Sequence, residues 1–528
     1  SSAGGIIRRV LTVTQPPSVT QPPAADGEYR KRGRSKAPLI IAIVAVGALI
    51  AVGISVFALN RTNTDTVSGN TLTTGVVLEP TSLDVRTNTG VATSQILLDN
   101  VYQGLVGIAP GTVAEIVPVL ATELPQVSAD GLDYRFTLRD DVTFHTGATL
   151  TAQDVVSSLE ETLTTDNVGY TPEITDEGDN SVAITLEEPN SQLLWHLANF
   201  PGVIREDGAS NNLANTASGT GPYLFEQWKQ GDSLTLVKND EYWGTPATLD
   251  TAVFRFFPDG RAAVNALHDG DLDVHTALLP PLREEFENDA NFTLERADSS
   301  DVFTLAYNSD KTPLSDPRVR TALSLAIDTD AIITAQSGDG KPLGSPITEL
   351  EPGYRDLTSI NAYDPEAARA LLAEAGQPNL SLTITAPNHY DTTPLDLIKS
   401  QLADVGVSIK IKQVEFPTWL EEVYTNHDFQ LSYVDHAEAR DFGNYANPDY
   451  YFGYDSAKVQ DLYGQSLATT DTTVEGELLE QAASQVAADA PAKWLFNYTP
   501  TNVIGTHVSG FPAANTNSRI NLEGVTLQ

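Results

Sequence analysis

The chain has 528 residues, with 31 Lys and Arg against 70 Asp and Glu, for a formal net charge of −39. Hydrophobic residues make up 41%, enough for a large core, which excludes a wholly disordered chain. So acidic a chain argues against nucleic-acid binding, which needs Lys and Arg on phosphates, and the lack of Cys excludes disulfides, thiolate metal sites and Cys nucleophiles.

The charge is unevenly spread along the chain. Residues 1–64 carry a net +6 and the remainder a net −45. Residues 1–38 are polar, with Pro16-Pro17 and Pro22-Pro23, and read as a disordered arm on the cytoplasmic side. Leu39–Leu59 is an uncharged apolar run of 21 residues. As a helix it would span about 30 Å, the thickness of a bilayer core. Arg30–Lys36 directly precede it, which places the N-terminus in the cytoplasm. The run exceeds the roughly 7–15 apolar residues of a cleaved signal, so we expect an uncleaved membrane anchor, the alternative being a signal cleaved after Val56-Phe57-Ala58. Residues 60–70 read as a linker to an external body.

The body alternates strand and helix signals, with no fixed-period repeat. Leu132–Leu138 alternates as a strand after a turn at Asp130-Gly131. Thr151 with Asp154 three residues on reads as a capping box opening a helix. Val182–Leu186 is a strand, and Tyr223–Val237 a hairpin turning at Gln230-Gly231-Asp232. Phe303–Tyr307 and Ser381–Thr385 are further strands. Asp316-Pro317 and Asp364-Pro365 each start a helix, the second stopped by Gly376. Pro394–Leu402 and Glu477–Ala488 complete the helices. Interleaving of this kind predicts an α/β class with more than one lobe.

Motifs for catalysis and metal binding fail on spacing. None of the eight His forms the pair of a HExxH zinc site. Asp269–Asp273 lacks the terminal Glu of a calcium loop and reads as a turn. Gly338–Lys341 lacks the Ser or Thr of a phosphate loop and reads as a flexible loop. No G-x-S-x-G elbow occurs. We therefore expect no enzyme, no cofactor and no metal. Gly219–Tyr223, with two Gly and a Pro, fixes an unusual backbone path and reads as structural. The stretch Tyr433–Tyr454 mixes Asp435, Glu438, Asp441 and Asp449 with Arg440, five Tyr and two Phe, a composition suited to a ligand cleft.

The ordered landmarks resemble the family 5 extracellular solute-binding proteins of ABC importers, which include dipeptide-, oligopeptide- and nickel-binding proteins. The matching pieces are Leu78–Asp84, Asn100–Leu105, Asp130–Arg139, Phe144–Gly147 with Leu150–Val155, Gly219–Tyr223, Asn239–Gly244 and Arg318–Leu323. The resemblance covers about residues 71–528. The chain departs from the family in having no Cys to lipidate, a job Leu39–Leu59 would take over, and in Gln103 where Glu is common.

The resemblance implies a two-lobed α/β fold of the periplasmic-binding-protein type II, enlarged with an extra subdomain. Lobe I would comprise residues 71–100, 213–302 and 499–528, the inserted subdomain 101–212, and lobe II 303–498. It implies an extracytoplasmic receptor, its body monomeric, that captures short peptides by lobe closure and delivers them to ABC permease subunits. A non-transport sensor and a nickel-chelate receptor are the alternatives. In the family's peptide binders an acid of lobe II pairs with the ligand α-ammonium. The resemblance carries that role to Glu438 or Asp441, with Phe442 replacing the family's Pro. The other site residues it implies are Arg440, Asn88, Thr89, Tyr445 and Trp419.

Overall fold

The computed structural model describes residues 70–528, apart from 88–89 and 210–211. The expected arm and the Leu39–Leu59 anchor lie outside the described residues. Among the described residues no helix is long and apolar enough to cross a membrane.

Three sheets organise the body. The first has the spatial order Phe292–Arg296, Thr501–Gly505, Val274–His275, Thr71–Val76, Thr251–Phe256, Ser233–Lys238, Tyr223–Lys229. Thr71–Val76 runs parallel to both its neighbours. Parallel partners cannot be joined by a tight turn, so a long excursion separates them. The hairpin at the far edge turns through Gly231, which takes the φ of 77° that the turn requires.

That excursion holds the second sheet, in the order Gln126–Val127, Asp133–Thr137, Ser181–Thr185, Glu173–Gly178. The helix Ala152–Thr162 packs on it, with Val155 and Leu159 wholly buried beside Phe136 and Ile184. The predicted capping box forms: the Asp154 N–H donates to Thr151 Oγ1, and the Thr151 N–H donates to Asp154 Oδ2 at 2.8 Å.

The third sheet has the order Gly340–Lys341, Ala492–Tyr498, Val302–Tyr307, Leu431–His436, Leu380–Pro387, Val407–Val414. Every residue of Val302–Tyr307 and of Ala492–Tyr498 is buried, as strands covered on both faces must be. Helices Pro317–Leu325 and Pro365–Glu374 start where expected, with Asp316 and Asp364 accepting from the N–H groups of Arg318 and Ala367. The last helix runs Thr472–Asp489, earlier than the predicted Glu477 start, because Asp471 caps it by accepting from Thr473 and Val474. Gly338–Lys341 corrects the flexible-loop expectation. Gly340 and Lys341 pair with Tyr498 and Asn497, and Asp339 beside them is fully buried.

The chain crosses from the first sheet to the third between Arg296 and Val302, and returns between Tyr498 and Thr501. The result is a two-lobed α/β fold hinged on two short crossings.

Candidate functional site

A cavity of about 350 Å³ lies among residues of all three parts. Ser94 and Ser518 reach it from the first lobe, Trp195 and Asn199 from the inserted part, Ser300 from a crossing, and Glu438, Arg440 and Asp441 from the second lobe. The strand Leu431–His436 delivers the last three from its C-terminal end. Loops at the carboxyl ends of strands are where open α/β sheets take ligands. The parts touch across the cleft: Ser191 Oγ donates to Ser466 O at 3.2 Å, and Ser300 Oγ to Ala437 O at 3.2 Å.

Glu438 is solvent-accessible on the cavity wall yet hemmed in by protein around the cleft. That confinement, with the Asp441 charge adding to it and His436 opposing, pushes its carboxyl up to about 7. A cation placed beside it would draw it back down. Asp441 Oδ2 lies 3.6 Å from His436 Nδ1 and accepts from Asn444 Nδ2 at 3.4 Å. The other His436 nitrogen, Nε2, is 2.8 Å from the Tyr451 hydroxyl.

Arg440 adopts a left-handed backbone, φ 58°, uncommon for a residue with a side chain. Its N–H is held by Glu351 Oε1, while Glu351 Oε2 accepts from the N–H and the hydroxyl of Thr348, both at 2.9 Å. Burial pushes Glu351 up to about 7, against those hydrogen bonds. The Arg440 guanidinium carbon lies 5.2 Å over the Trp195 ring, joining the second lobe to the inserted part by a cation–π contact.

Beneath the cleft, Asn517 Nδ2 donates to Asp301 Oδ2 at 2.6 Å and to Asp435 Oδ2 at 3.2 Å. Arg519, almost wholly buried, pairs with both Asp99 oxygens at 2.9 and 3.0 Å and donates to Ala198 O and Asn199 Oδ1. Arg519 thereby fastens the C-terminal segment to the first lobe and to the inserted part through both its terminal nitrogens.

Of the sequence-derived site residues, the fold brings Glu438, Arg440 and Asp441 together on the cavity wall. Trp419 and Tyr445 are corrections. Trp419 is buried in the core of the second lobe, stacked on Phe416, with its Nε1 donating to Ser432 Oγ at 3.0 Å. Tyr445 is equally buried and its hydroxyl accepts from Trp494 Nε1 at 2.8 Å. Both indole and phenol are satisfied internally, so neither lines the cavity. Asn88 and Thr89 lie outside the described residues. Sequence reading missed Trp195, Asp301, Asn517 and Arg519. No local pattern signals a residue like Asn517, which stands 216 and 82 positions from its two partners. Among the described residues no group of three His, Cys, Asp or Glu is placed to hold a metal.

Residues 115–462 match the model of the bacterial extracellular solute-binding proteins, family 5, middle portion. The chain belongs to this family. Its members are solute-binding proteins of ABC importers, and the family is one of binding proteins, not of enzymes. The dipeptide-binding protein of Escherichia coli K12 is 29% identical over 467 residues, covering 78% of this chain and 86% of its own. Heme-binding protein A of Haemophilus influenzae is 29% identical over 350 residues, covering 58% of this chain and 63% of its own. Among solved structures, the periplasmic binding protein DppA of Helicobacter pylori, in complex with the peptide STSA, is similar to this family 5 chain with a TM-score of 0.77 at 23% identity. That match covers 87% of this chain and 98% of the other. NikA of Staphylococcus aureus, in complex with Ni(L-His)2, has the same TM-score of 0.77 at 20% identity, covering 87% and 100%. These likenesses establish the shared fold.

Proposed function

We propose that this family 5 protein captures short peptides by their free α-ammonium and passes them to an ABC importer permease. The observation that carries the reading is the pair Glu438 and Asp441, side by side on the wall of the cavity, with Glu438 exposed. A carboxylate in a confined site binds an ammonium by a charge-assisted hydrogen bond that bulk water would weaken. The volume, about 350 Å³, is near the lower end for ligand clefts and suits a small ligand. The dipeptide-binding relative in E. coli supports a peptide of that size. The lobes are residues 71–100, 213–302 and 499–528 on one side and 303–498 on the other, with 101–212 inserted. They close on the ligand by motion about the two crossings. Leu39–Leu59 anchors the monomeric body outside the cell membrane, a role supported by the length of that run and the basic cluster before it.

Thermal melting with a panel of dipeptides tests the reading. The wild type gains stability by mass action with the peptides it binds. A Glu438→Ala, Asp441→Ala double variant loses that gain while melting normally without peptide. A wild type that responds to no peptide would overturn the proposal.

A further inference from the structure

The cavity has two unlike walls. The second lobe presents the charged side chains of Glu438, Arg440 and Asp441. The first lobe and the inserted part present Leu98, Ile108, Val113, Val168, Trp195 and Phe200, gathered from separate stretches of chain. Leu98, Ile108, Val113 and Phe200 are buried, whereas Val168 and Trp195 are half-buried and keep apolar surface. Both pack on the core of the inserted part, which holds them in place. The polar side chains of this wall are engaged within the protein. Ser94 Oγ donates to Val91 O and Ser518 O, at 3.1 and 2.9 Å, and Ser518 Oγ donates to Asn515 Oδ1. Asn167 Nδ2 donates to Thr162 O and Asn199 Nδ2 to Trp195 O, each at 2.9 Å. His196 Nδ1 lies 2.9 Å from the Tyr170 hydroxyl, and burial lowers the ring to about 4, so it is uncharged at neutral pH. Arg519 is paired with Asp99. A ligand charge laid against this wall would lose water and gain no counter-charge, whereas an apolar side chain would displace water from apolar surface.

We infer that this wall sets the side-chain specificity of the site: it takes an apolar side chain of the peptide and discriminates against a charged one, with Val168 and Trp195 as the specificity-determining residues. The inference rests on the peptide reading above and narrows it. With Glu438 holding the ammonium on the charged wall, a side chain of the same short peptide meets the apolar wall of a cavity of only about 350 Å³. Each methylene moved there from water is worth about a fourfold gain in affinity when fully buried. Leu carries three more carbons than Ala, so partial burial already favours it by about tenfold or more. Lys has as many methylenes as Leu has added carbons but brings an ammonium, so the comparison of Leu with Lys separates apolar burial from size.

The test uses the full chain in mild detergent and the dipeptides Ala-Ala, Leu-Ala, Ala-Leu, Lys-Ala, Ala-Lys, Glu-Ala and Ala-Glu. Affinity is measured by calorimetry. For the wild type, Leu in place of Ala at one of the two positions strengthens binding by about tenfold or more, and Lys or Glu at that position binds no better than Ala. Val168→Asp puts a carboxylate on the wall. In that variant the gain from Leu is lost and Lys at the same position binds better than Leu, while Val168→Leu keeps the wild-type order. A wild type that binds all seven peptides within about threefold of one another would overturn the inference and leave the peptide reading standing. So would a folded Val168→Asp protein, judged by its melting without peptide, that keeps the wild-type order. A wild type that binds none of the seven defeats the peptide reading, and the inference falls with it. The wild-type series decides the question even where a variant does not fold.

Discussion

Asp301 and Asp435 present one problem of charge. Asp301 is fully buried and Asp435 half-buried, Asn517 donates to one oxygen of each, and the other oxygen of each is buried without a donor. Ser299, Tyr390 and Tyr498 surround the pair, and no basic side chain forms an ion pair with it among the described residues. Two ionised acids sharing the Asn517 amide repel, which favours a proton held between them that would serve as the missing donor. Burial pushes Asp301 up to about 7, and burial with the Asp301 charge pushes Asp435 well above the usual range. The sign follows from the raised folded-state value. The pair's contribution to stability is fully present below about pH 4, where the unfolded acids are also protonated. It declines as pH rises toward about 7, because the unfolded chain ionises freely and the fold resists. Asp435→Asn supplies an N–H in place of the shared proton. Its melting temperature should match the wild type near pH 4 and exceed it by about 2 °C or more near pH 8. An unchanged pH slope in the variant would show that the pair does not hold the proton. His145 shows the opposite economy of protons. It accepts from the Gly219 N–H at Nδ1 and donates from Nε2 to Gly221 O, so a neutral ring satisfies both bonds and burial lowers its pKa.

At the scale of elements, the parts most legible in the sequence were those set by local chemistry. The Thr151–Asp154 box, the Asp-Pro starts and the Gly231 turn each act within a few residues, and each forms. Gly219 and Gly221 were legible as a constraint but not as a contact. A Cβ at either would stand 2.2 or 2.4 Å from the carbonyl oxygens of Val101 and Asn100, chain that is distant in sequence. Beside them the neutral amide of Gln103 accepts from Thr220 Oγ1 and donates to the Tyr242 hydroxyl, each at 2.9 Å. That buried exchange of donor and acceptor suits Gln where the family commonly has Glu. The cleft was legible only where its residues cluster on one loop, 438–441, because Trp195, Asp301 and Asn517 arrive by long-range packing. Trp419 and Tyr445 misled because aromatics in the same stretch serve the core as readily as a pocket. The capping box offers a graded test. Thr151→Ala removes the two bonds of its hydroxyl, to the Asp154 N–H and to the Asp154 carboxylate, and should destabilise by about 1 kcal/mol. Asp154→Ala should do more, about 2 kcal/mol, because Asp154 also accepts from the Asp207 N–H at 2.8 Å. Hydrogen exchange at the first amides of Ala152–Thr162 reads the difference, with faster exchange in both variants and the larger increase in Asp154→Ala. Equal exchange in the two would show that the tie to Asp207 contributes nothing.

At the scale of the whole molecule, the net −39 divides into a basic first segment and a strongly acidic body, so the few cations inside the body matter by position. The hinge illustrates this. Asp339, fully buried, belongs to the second lobe, yet its partners belong to the first. Arg296, which ends the strand before one crossing, donates to it from Nε at 2.9 Å. Thr501, which begins the strand after the other crossing, donates to it at 3.2 Å. Arg283 pairs with it as well, its side chain only 12% exposed. One carboxylate therefore ties both crossings together at the pivot about which the lobes would move. Asp339→Ala leaves Arg283 buried without a counter-charge, a change of about 3 kcal/mol or more for a broken buried pair. Asp298→Ala is the matched control. Asp298 is exposed and meets Lys341 only at 3.7 Å, so its loss should change stability by about 0.5 kcal/mol or less. Chemical denaturation of both variants measures the contrast, and small-angle scattering with and without bound peptide reads the lobes. Asp339→Ala should broaden the range of lobe separations in the unliganded protein, whereas Asp298→Ala should leave it unchanged. If the two variants denature at the same midpoint and scatter alike, the pivot is held by the crossing strands themselves and not by the buried carboxylate.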